Sequence, residues 1–303
     1  DLIASKGSST FSAITPMGRQ HENDREATAA DLKWLADPAE EPEPFGDGGT
    51  KMAWNTFNVV SIYPNGNPVM SDVNQRWVGD CCACAVIASM AYLYPRFVKH
   101  IIKDNMDKTY TVTMYDPKGK QISVGVGGDY FIGNSGDLGA LGGRNKEVTW
   151  ATILEKAMIK WNQIYQGSSN VGGIGTEYVS AIFTGDGESV GFGANALIAE
   201  DLQRAVEVSL KQGRLVIGGF TRSGEQVDQN WQTTSGHAFT FILPDDNTHL
   251  FKMRNPWGGT TDGVMKVKDD GRIPPMIDLR ICAPGAAKNY GVGPDLGGYI
   301  PNF

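Results

Sequence analysis

Three cysteines fall within four positions in QRWVGDCCACAVIASM, residues 75–90, at the head of an apolar run. Cysteines clustered in this way can ligate a metal, form disulfides, or include one nucleophilic thiol beside two that only pack. A structural zinc site wants two separated ligand pairs, whereas Cys81, Cys82 and Cys84 are followed only by a lone Cys282. A disulfide scaffold carries far more cysteine per residue than four in 303. The reactive thiol remains. Asp80 stands where a helix N-cap would, so Cys81 opens a helix whose unpaired N–H groups and dipole favour a thiolate. Cys82 and Cys84 lie further into the apolar helix, where free cysteine behaves as a small hydrophobe.

A nucleophilic thiol needs a base. Of the four histidines, His21 lies in a polar N-terminal stretch, His100 on the continuation of the first helix, and His249 in the turn PDDNTHL. His237 stands in TSGHAFTFIL, where Gly236 lets a ligand backbone approach and an alternating strand gives a rigid base. Further on, in MRNPWGG, Asn255 is placed to hold the imidazole in the useful tautomer, and Trp257 to shield that hydrogen bond from water. Taken alone, a strand histidine is ordinarily a satisfied core residue and NPWG a turn. Pairing with Cys81 is what gives them a chemical role.

Several elements must position these residues. Residues 1–50 are polar and end in DPAEEPEPFGDGG, which reads as a linker or peripheral arm without core, either docked near a cleft or loosely attached. AVIASMAYLYPRFVKHII predicts a helix buried on most sides and interrupted at Pro95. YTVTMYDPKGKQISVGV shows two alternating runs around Asp116–Gly119, a hairpin. In EVTWATILEKAMIKWNQIY the residues Trp150, Ile153, Leu154, Ala157, Met158 and Trp161 recur at helical spacing. GSSNVGGIG, residues 167–175, suits a hinge between lobes, with the boundary at Gly173: residues 51–173 form a helical lobe and 174–303 a β-rich lobe. EDLQRAVEVSLKQG predicts a third helix closed by Gly213, and RLVIGGF, HAFTFIL, HLFKMRN, GVMKVK and IDLRICA read as successive strands. The fold class expected is α+β.

Composition excludes other classes. A net charge of -7, a pI near 5.2 and no basic stripe argue against a nucleic-acid partner. No glycine-rich loop has the spacing for phosphates. The longest apolar run, Ala83 to Leu93, falls short of the roughly 20 residues needed for a membrane span. The compartment stays open.

Together the motifs resemble the papain-like cysteine peptidases, and within them the calpain family. DVNQRWVGDCCACAVIAS is similar to the calpain nucleophile segment and WATILEKAMIKWNQIY to its Leu-Leu-Glu-Lys-Ala-Tyr helix. SGHAFTF is similar to its histidine strand and FKMRNPWG to its Arg-Asn-Pro-Trp-Gly strand, all in the family's order over about residues 54–283. The resemblance implies a two-lobed papain-like fold and an endopeptidase acting on proteins or peptides as a monomer. It makes Cys81 the nucleophile, His237 the general base and acid, Asn255 the orienting residue and Gln75 the side-chain oxyanion donor, with the Cys81 N–H as the second. Gly172, Gly173, Gly236 and Trp257 are the expected substrate-facing residues of a cleft between the lobes.

The family has Gly after the oxyanion Gln and Trp after the nucleophile, where this chain has Arg76 and Cys82. Its substrate-facing surface therefore differs, and Trp77 is a candidate to occupy part of the missing indole's space. No EF-hand domain or β-sandwich is recognisable, so the sequence reads as a peptidase core. Two other readings stay open. One is a catalytically silent calpain-like binding module; the other is a transglutaminase-type acyltransferase, which usually completes its Cys-His core with Asp rather than Asn. The chemistry requires no cofactor. The resemblance further implies calcium: Asp72 matches a first-lobe ligand in place, and Glu147 falls within one residue of its acidic partner. These two carboxylates with carbonyls of PNGNP would suit a cation taking six to eight oxygens, while capping roles for both are the equal alternative. The second lobe offers only Asp262, so at most one calcium, in the first lobe, is expected.

Overall fold

The computed structural model describes residues 12–14, 24–45, 52–193, 199–220, 236–243, 252–258, 263–264 and 277–291. Strand β1 (Ser12–Ile14) is followed by helix α1 (Ala29–Ala36), which Thr28 and Asp31 open with a reciprocal capping box. After β2 (Ala53–Thr56) comes α2 (Cys81–Leu93), whose side chains are buried on every face except at Cys82, as its near-uniform apolar sequence requires. It stops at Tyr94. Pro95 supplies the first residue of α3 (Pro95–Ile101), and the two helix axes are bent by 113°. Strands β3 (Ile102–Asp104), β4 (Tyr110–Tyr115) and β5 (Gln121–Val126) make an antiparallel meander. In the β4–β5 turn Asp116 accepts from the N–H groups of Lys118 and Lys120, and Gly119 takes the φ of +79° that the turn needs. Strand β6 (Asp129–Ile132) pairs with β2.

Helix α4 (Trp150–Gln166) is capped by Thr149 and ended by Gly167 in the left-handed conformation. Besides Trp150 and Trp161 it buries two lysines. Lys156 is ion-paired with Glu41 at 2.6 Å and lies over the rings of Trp54 and Tyr130. Lys160 donates to the carbonyls of Asp37 and Gly125, at 2.8 Å each, and lies over Trp34. These bonds fasten residues 24–45 to α4, and Leu35 enters the core. The expectation of a coreless arm is therefore corrected for this stretch. Its carboxylates and carbonyls are drawn in by buried cations that would otherwise lack partners.

The remaining elements are α5 (Thr176–Thr184), β7 (Ser189–Gly193), α6 (Ala199–Lys211), β8 (Leu215–Phe220), β9 (His237–Ile242), β10 (Lys252–Arg254), β11 (Gly263–Val264) and β12 (Ile277–Cys282). The strands join β1 in a seven-stranded antiparallel sheet of order β1-β7-β12-β8-β9-β10-β11. The architecture is thus α+β. Helix α2 lies across β8 and β9, and Thr240 donates from its hydroxyl to the Ala85 carbonyl at 2.8 Å. The helix that carries Cys81 and the strand that carries His237 are therefore in direct contact. Helix α5, which the sequence reading did not anticipate, packs against α2, β4 and β12. The 167–175 segment is anchored rather than loose: Asn162 donates to the carbonyls of Ser168 and Asn170, and the Gly173 N–H donates to Gly79 at 3.2 Å. Among the described residues no single helix is long and apolar enough to cross a membrane.

Candidate active site

Cys81 is the first residue of α2 and is buried. Asp80 occupies the N-cap position but makes no side-chain cap, a correction to the sequence reading. Its carboxyl turns inward instead, where Oδ1 accepts from the Cys84 thiol at 3.3 Å. The helix terminus still offers its orphan N–H groups to Cys81.

His237 begins β9, preceded by Gly236 at φ +68°. A side chain at Gly236 would meet nothing within 4 Å, so backbone conformation rather than lack of space selects glycine there. The Gly236 carbonyl lies 3.6 Å from Cys81 Sγ. The His237 ring acts on Cys81 as one of the groups that lower its pKa, and its Nε2 is 2.6 Å from Asn255 Oδ1. That oxygen also accepts from the Trp257 N–H at 3.1 Å, which orients the carboxamide with oxygen toward the ring. A carboxamide oxygen only accepts, so Nε2 carries the proton and Nδ1 is left to serve the thiol. The Trp257 ring covers the imidazole, with centroids 4.4 Å apart and planes at 31°, while remaining 47% exposed.

The three clustered thiols differ sharply. The Cys81 pKa is held down to about 4, first by a hydrogen bond from the Cys82 thiol, then, against the effect of burial, by His237 and the backbone N–H of Ala238. The Cys82 thiol is pushed up by that same bond to Cys81 and by burial, and Cys84 by burial beside Asp80. One thiolate therefore stands beside two thiols. The support that Cys82 gives was not visible in the sequence, where it read as packing.

Gln75 donates from Nε2 to the Val78 carbonyl at 2.9 Å, leaving its second amide hydrogen for another acceptor, and its backbone N–H binds the Pro256 carbonyl at 2.7 Å. That backbone bond joins the loop before Cys81 to the Trp257 turn. Arg254, also unassigned from sequence, reinforces the joint from within: buried, it donates to the Val73 carbonyl and reaches Asn74 Oδ1 at 3.4 Å. Gly258, at φ +72°, lies so close that an added Cβ would sit 1.9 Å from Asn74 Oδ1. Arg76 points away to the Gly143 carbonyl at 2.6 Å. Trp77 is half-exposed and leans on the loop at Gly133, whereas the Cys82 thiol reaches Thr176.

Gly173, at φ +71°, faces open space, and Gly172 donates to Asn170 Oδ1 at 2.9 Å. Asp72 is buried, and its carboxylate accepts from Asn65 at 2.8 Å, from the Val69 N–H at 3.2 Å and from Trp150 Nε1 at 2.7 Å. Glu147 lies over the Gly143 backbone. The Gly66 carbonyl of PNGNP accepts from Lys99 at 2.8 Å. Among the described residues no three His, Cys, Asp or Glu side chains gather as a metal site. His100 is exposed and packs on Tyr290, while His21, His249 and Asp262 lie outside the described residues.

A family model for the calpain family cysteine proteases matches residues 54–263. That span is more than half of the chain, and the protein belongs to the calpain family of cysteine proteases. Comparison with curated proteins finds no match.

Proposed function

We propose that the protein is an endopeptidase that cleaves peptide bonds through Cys81, His237 and Asn255 by way of an acyl-enzyme. The observation that carries this reading is the 2.6 Å contact of Asn255 Oδ1 with His237 Nε2, which commits Nδ1 to the thiol. The Cys81 thiol passes its proton to His237 Nδ1, and the resulting thiolate attacks the scissile carbonyl carbon, whose oxygen takes up the negative charge beside the free Gln75 amide hydrogen and the Cys81 N–H. As the C–N bond breaks, His237 gives its Nδ1 proton to the departing amine, leaving a thioester on Cys81. His237 then takes a proton from water, whose oxygen attacks the thioester. The C–S bond breaks and the acid product leaves with the thiolate restored. Trp257 keeps bulk water from the His237–Asn255 bond throughout. The depressed Cys81 pKa supports this reading over a silent binding module, and a carboxamide rather than a carboxylate at position 255 favours it over acyl transfer to amines.

The residues matched to a calcium site do not fit the ion as arranged, because Asp72 already accepts three hydrogen bonds in a buried setting. No step above involves calcium. Arg76 is turned to the Gly143 carbonyl, so Trp77 and Cys82 are the departures that give this chain its own cleft surface.

Unfolded casein, with and without calcium, tests the proposal. Wild type cleaves it, and Cys81→Ala and His237→Ala retain the melting temperature but not the activity. Cleavage near the wild-type rate by either variant overturns it.

A further inference from the structure

Cys81 and Cys84 stand as a Cys-x-x-Cys pair on the first turn of α2, both as free thiols, and hydrolysis uses only the first sulfur. Residues three apart on an α-helix share a face, and the rise and radius of the helix put their Cα atoms about 5 Å apart, within the span of a disulfide. Their Cβ atoms lie about 5–6 Å apart, whereas a disulfide brings them to about 4 Å. The first turn can supply that closure, because the Cys81 N–H has no acceptor within the helix. Neighbouring residues on a helix do not face each other, so Cys82 is not the partner. Cys282 ends β12. Cys84 and Asp80 are 0% exposed, while Cys81 is 9% exposed, so a small molecule reaches the first sulfur and not the second. Asp80 holds Cys84 twice, its carbonyl accepting from the Cys84 N–H at 3.0 Å and its Oδ1 from the Cys84 thiol at 3.3 Å. Asp80 Oδ2 receives no hydrogen bond among the described residues, so the carboxyl has a lone pair free for a proton.

We propose that Cys81 and Cys84 are a redox-active pair, in which a peroxide oxidises Cys81 and Cys84 closes a reversible disulfide onto it, switching the nucleophile off and protecting it. The Cys81 thiolate attacks one oxygen of hydrogen peroxide, the O–O bond breaks, and the sulfur becomes a sulfenic acid while hydroxide leaves and takes a proton from solvent. Cys84 then gives its proton to Asp80 and attacks the Cys81 sulfur. The S–O bond breaks, and the departing hydroxide takes the proton from Asp80 and leaves as water. The two sulfurs have lost two electrons and the peroxide has gained them. Two molecules of a small thiol of the glutathione class reverse the step. The first attacks the exposed Cys81 sulfur and releases Cys84, and the second frees Cys81 and leaves as the thiol's own disulfide. The low pKa of Cys81 and the raised pKa of Cys84, the latter from burial first, suit the attacking and the resolving sulfur respectively. The loss of turnover rests on the peptidase reading, whereas the disulfide is measurable without substrate.

The test treats the full chain at pH 7 with hydrogen peroxide, quenches it in acid and maps the thiols after denaturation. Intact mass falls by two hydrogens. Alkylation before reduction labels Cys82 and Cys282, and a second alkylating agent after reduction labels Cys81 and Cys84. Casein cleavage is lost on oxidation and returns with reduced glutathione. Cys84→Ser cleaves casein at the wild-type rate, but under peroxide its Cys81 passes to the sulfinic and sulfonic acids and does not recover. Asp80→Asn keeps an acceptor for the Cys84 thiol but no base, and lengthens the time over which dimedone traps the Cys81 sulfenic acid by roughly 100-fold. A link between Cys81 and Cys82, or oxygen added to Cys81 of the wild type while Cys84 stays free, overturns the proposal, and an unchanged trapping time overturns the part given to Asp80. Should the variants fail to fold, the wild-type map decides. A protein that forms the Cys81–Cys84 link yet cleaves no casein in its reduced state sinks the peptidase reading and leaves this one standing; casein cleavage without the link does the reverse.

Discussion

Replacing Asn255 by Ala removes one oxygen that serves two partners. In the wild type that oxygen meets His237 Nε2 at 2.6 Å and the Trp257 N–H at 3.1 Å, in a residue wholly shielded from water. When His237 takes up a proton during the reaction, the bond becomes charge-assisted, and such bonds contribute about 1.5–3 kcal/mol. At about 1.4 kcal/mol per factor of ten, the expected loss is roughly 10-fold to 100-fold in kcat. KM should change little, because Asn255 contacts the imidazole and the turn rather than the cleft. The assay is steady-state hydrolysis of a fluorogenic peptide across pH 5 to 9, with melting temperature recorded alongside. Asn255→Asp retains both acceptor positions and should lose much less. A folded Asn255→Ala enzyme with wild-type kcat would refute the argument that this oxygen fixes the tautomer.

Cys82→Ala removes the first of the contacts that hold the Cys81 pKa down to about 4. The thiolate is then lost at higher pH as acid is added, and the acid limb of iodoacetamide alkylation moves upward; an unmoved limb contradicts the assignment. Gly258→Ala puts a Cβ where Asn74 Oδ1 already lies and asks a non-glycine residue to hold φ +72°, a strain of about 1–3 kcal/mol before the clash is counted. Peptide hydrolysis and melting temperature should both fall, and preservation of both would show that the turn does not pack as described. Glu41→Ala leaves Lys156 buried with the Asp129 carbonyl and the Trp54 and Tyr130 rings but no counter-ion, so an unfolding free energy lowered by about 1–3 kcal/mol, read from a lower denaturant midpoint, is expected, discounted because Glu41 is partly exposed. An unchanged midpoint would mean that the arm is not fastened through this pair.

Elements with strong local patterns were legible in the sequence. The 3.6-residue recurrence from Trp150 to Trp161 marked α4, and the Asp-Pro-Lys-Gly turn between alternating runs marked β4 and β5. Cys81, His237 and Asn255 stood out because each carries a chemically specific residue in a short motif, and the structure brings the three together. Features defined by long-range partners were not legible. Helix α5 is short, rich in β-branched residues and bounded by Gly175 and Gly185, so it lacked a helical signature of its own. The docking of residues 24–45 depends on lysines of α4 that are far away in sequence and give no local sign of burial. Asp80 read as a cap because its position before the helix gives no sign that its carboxyl turns inward to the Cys84 thiol, and Cys82 read as packing because its thiol acts through the neighbouring sulfur.

The most direct measurement on the central claim is covalent labelling with an epoxide inhibitor that reacts with activated thiols, followed by intact mass and peptide mapping. The account predicts one equivalent of adduct, confined to Cys81 and absent from Cys82, Cys84 and Cys282, with casein cleavage falling in step with labelling and no adduct in His237→Ala. Casein cleavage that persists after Cys81 is fully labelled, or a folded protein that cleaves casein while its inactivating adduct sits on another cysteine, would contradict it.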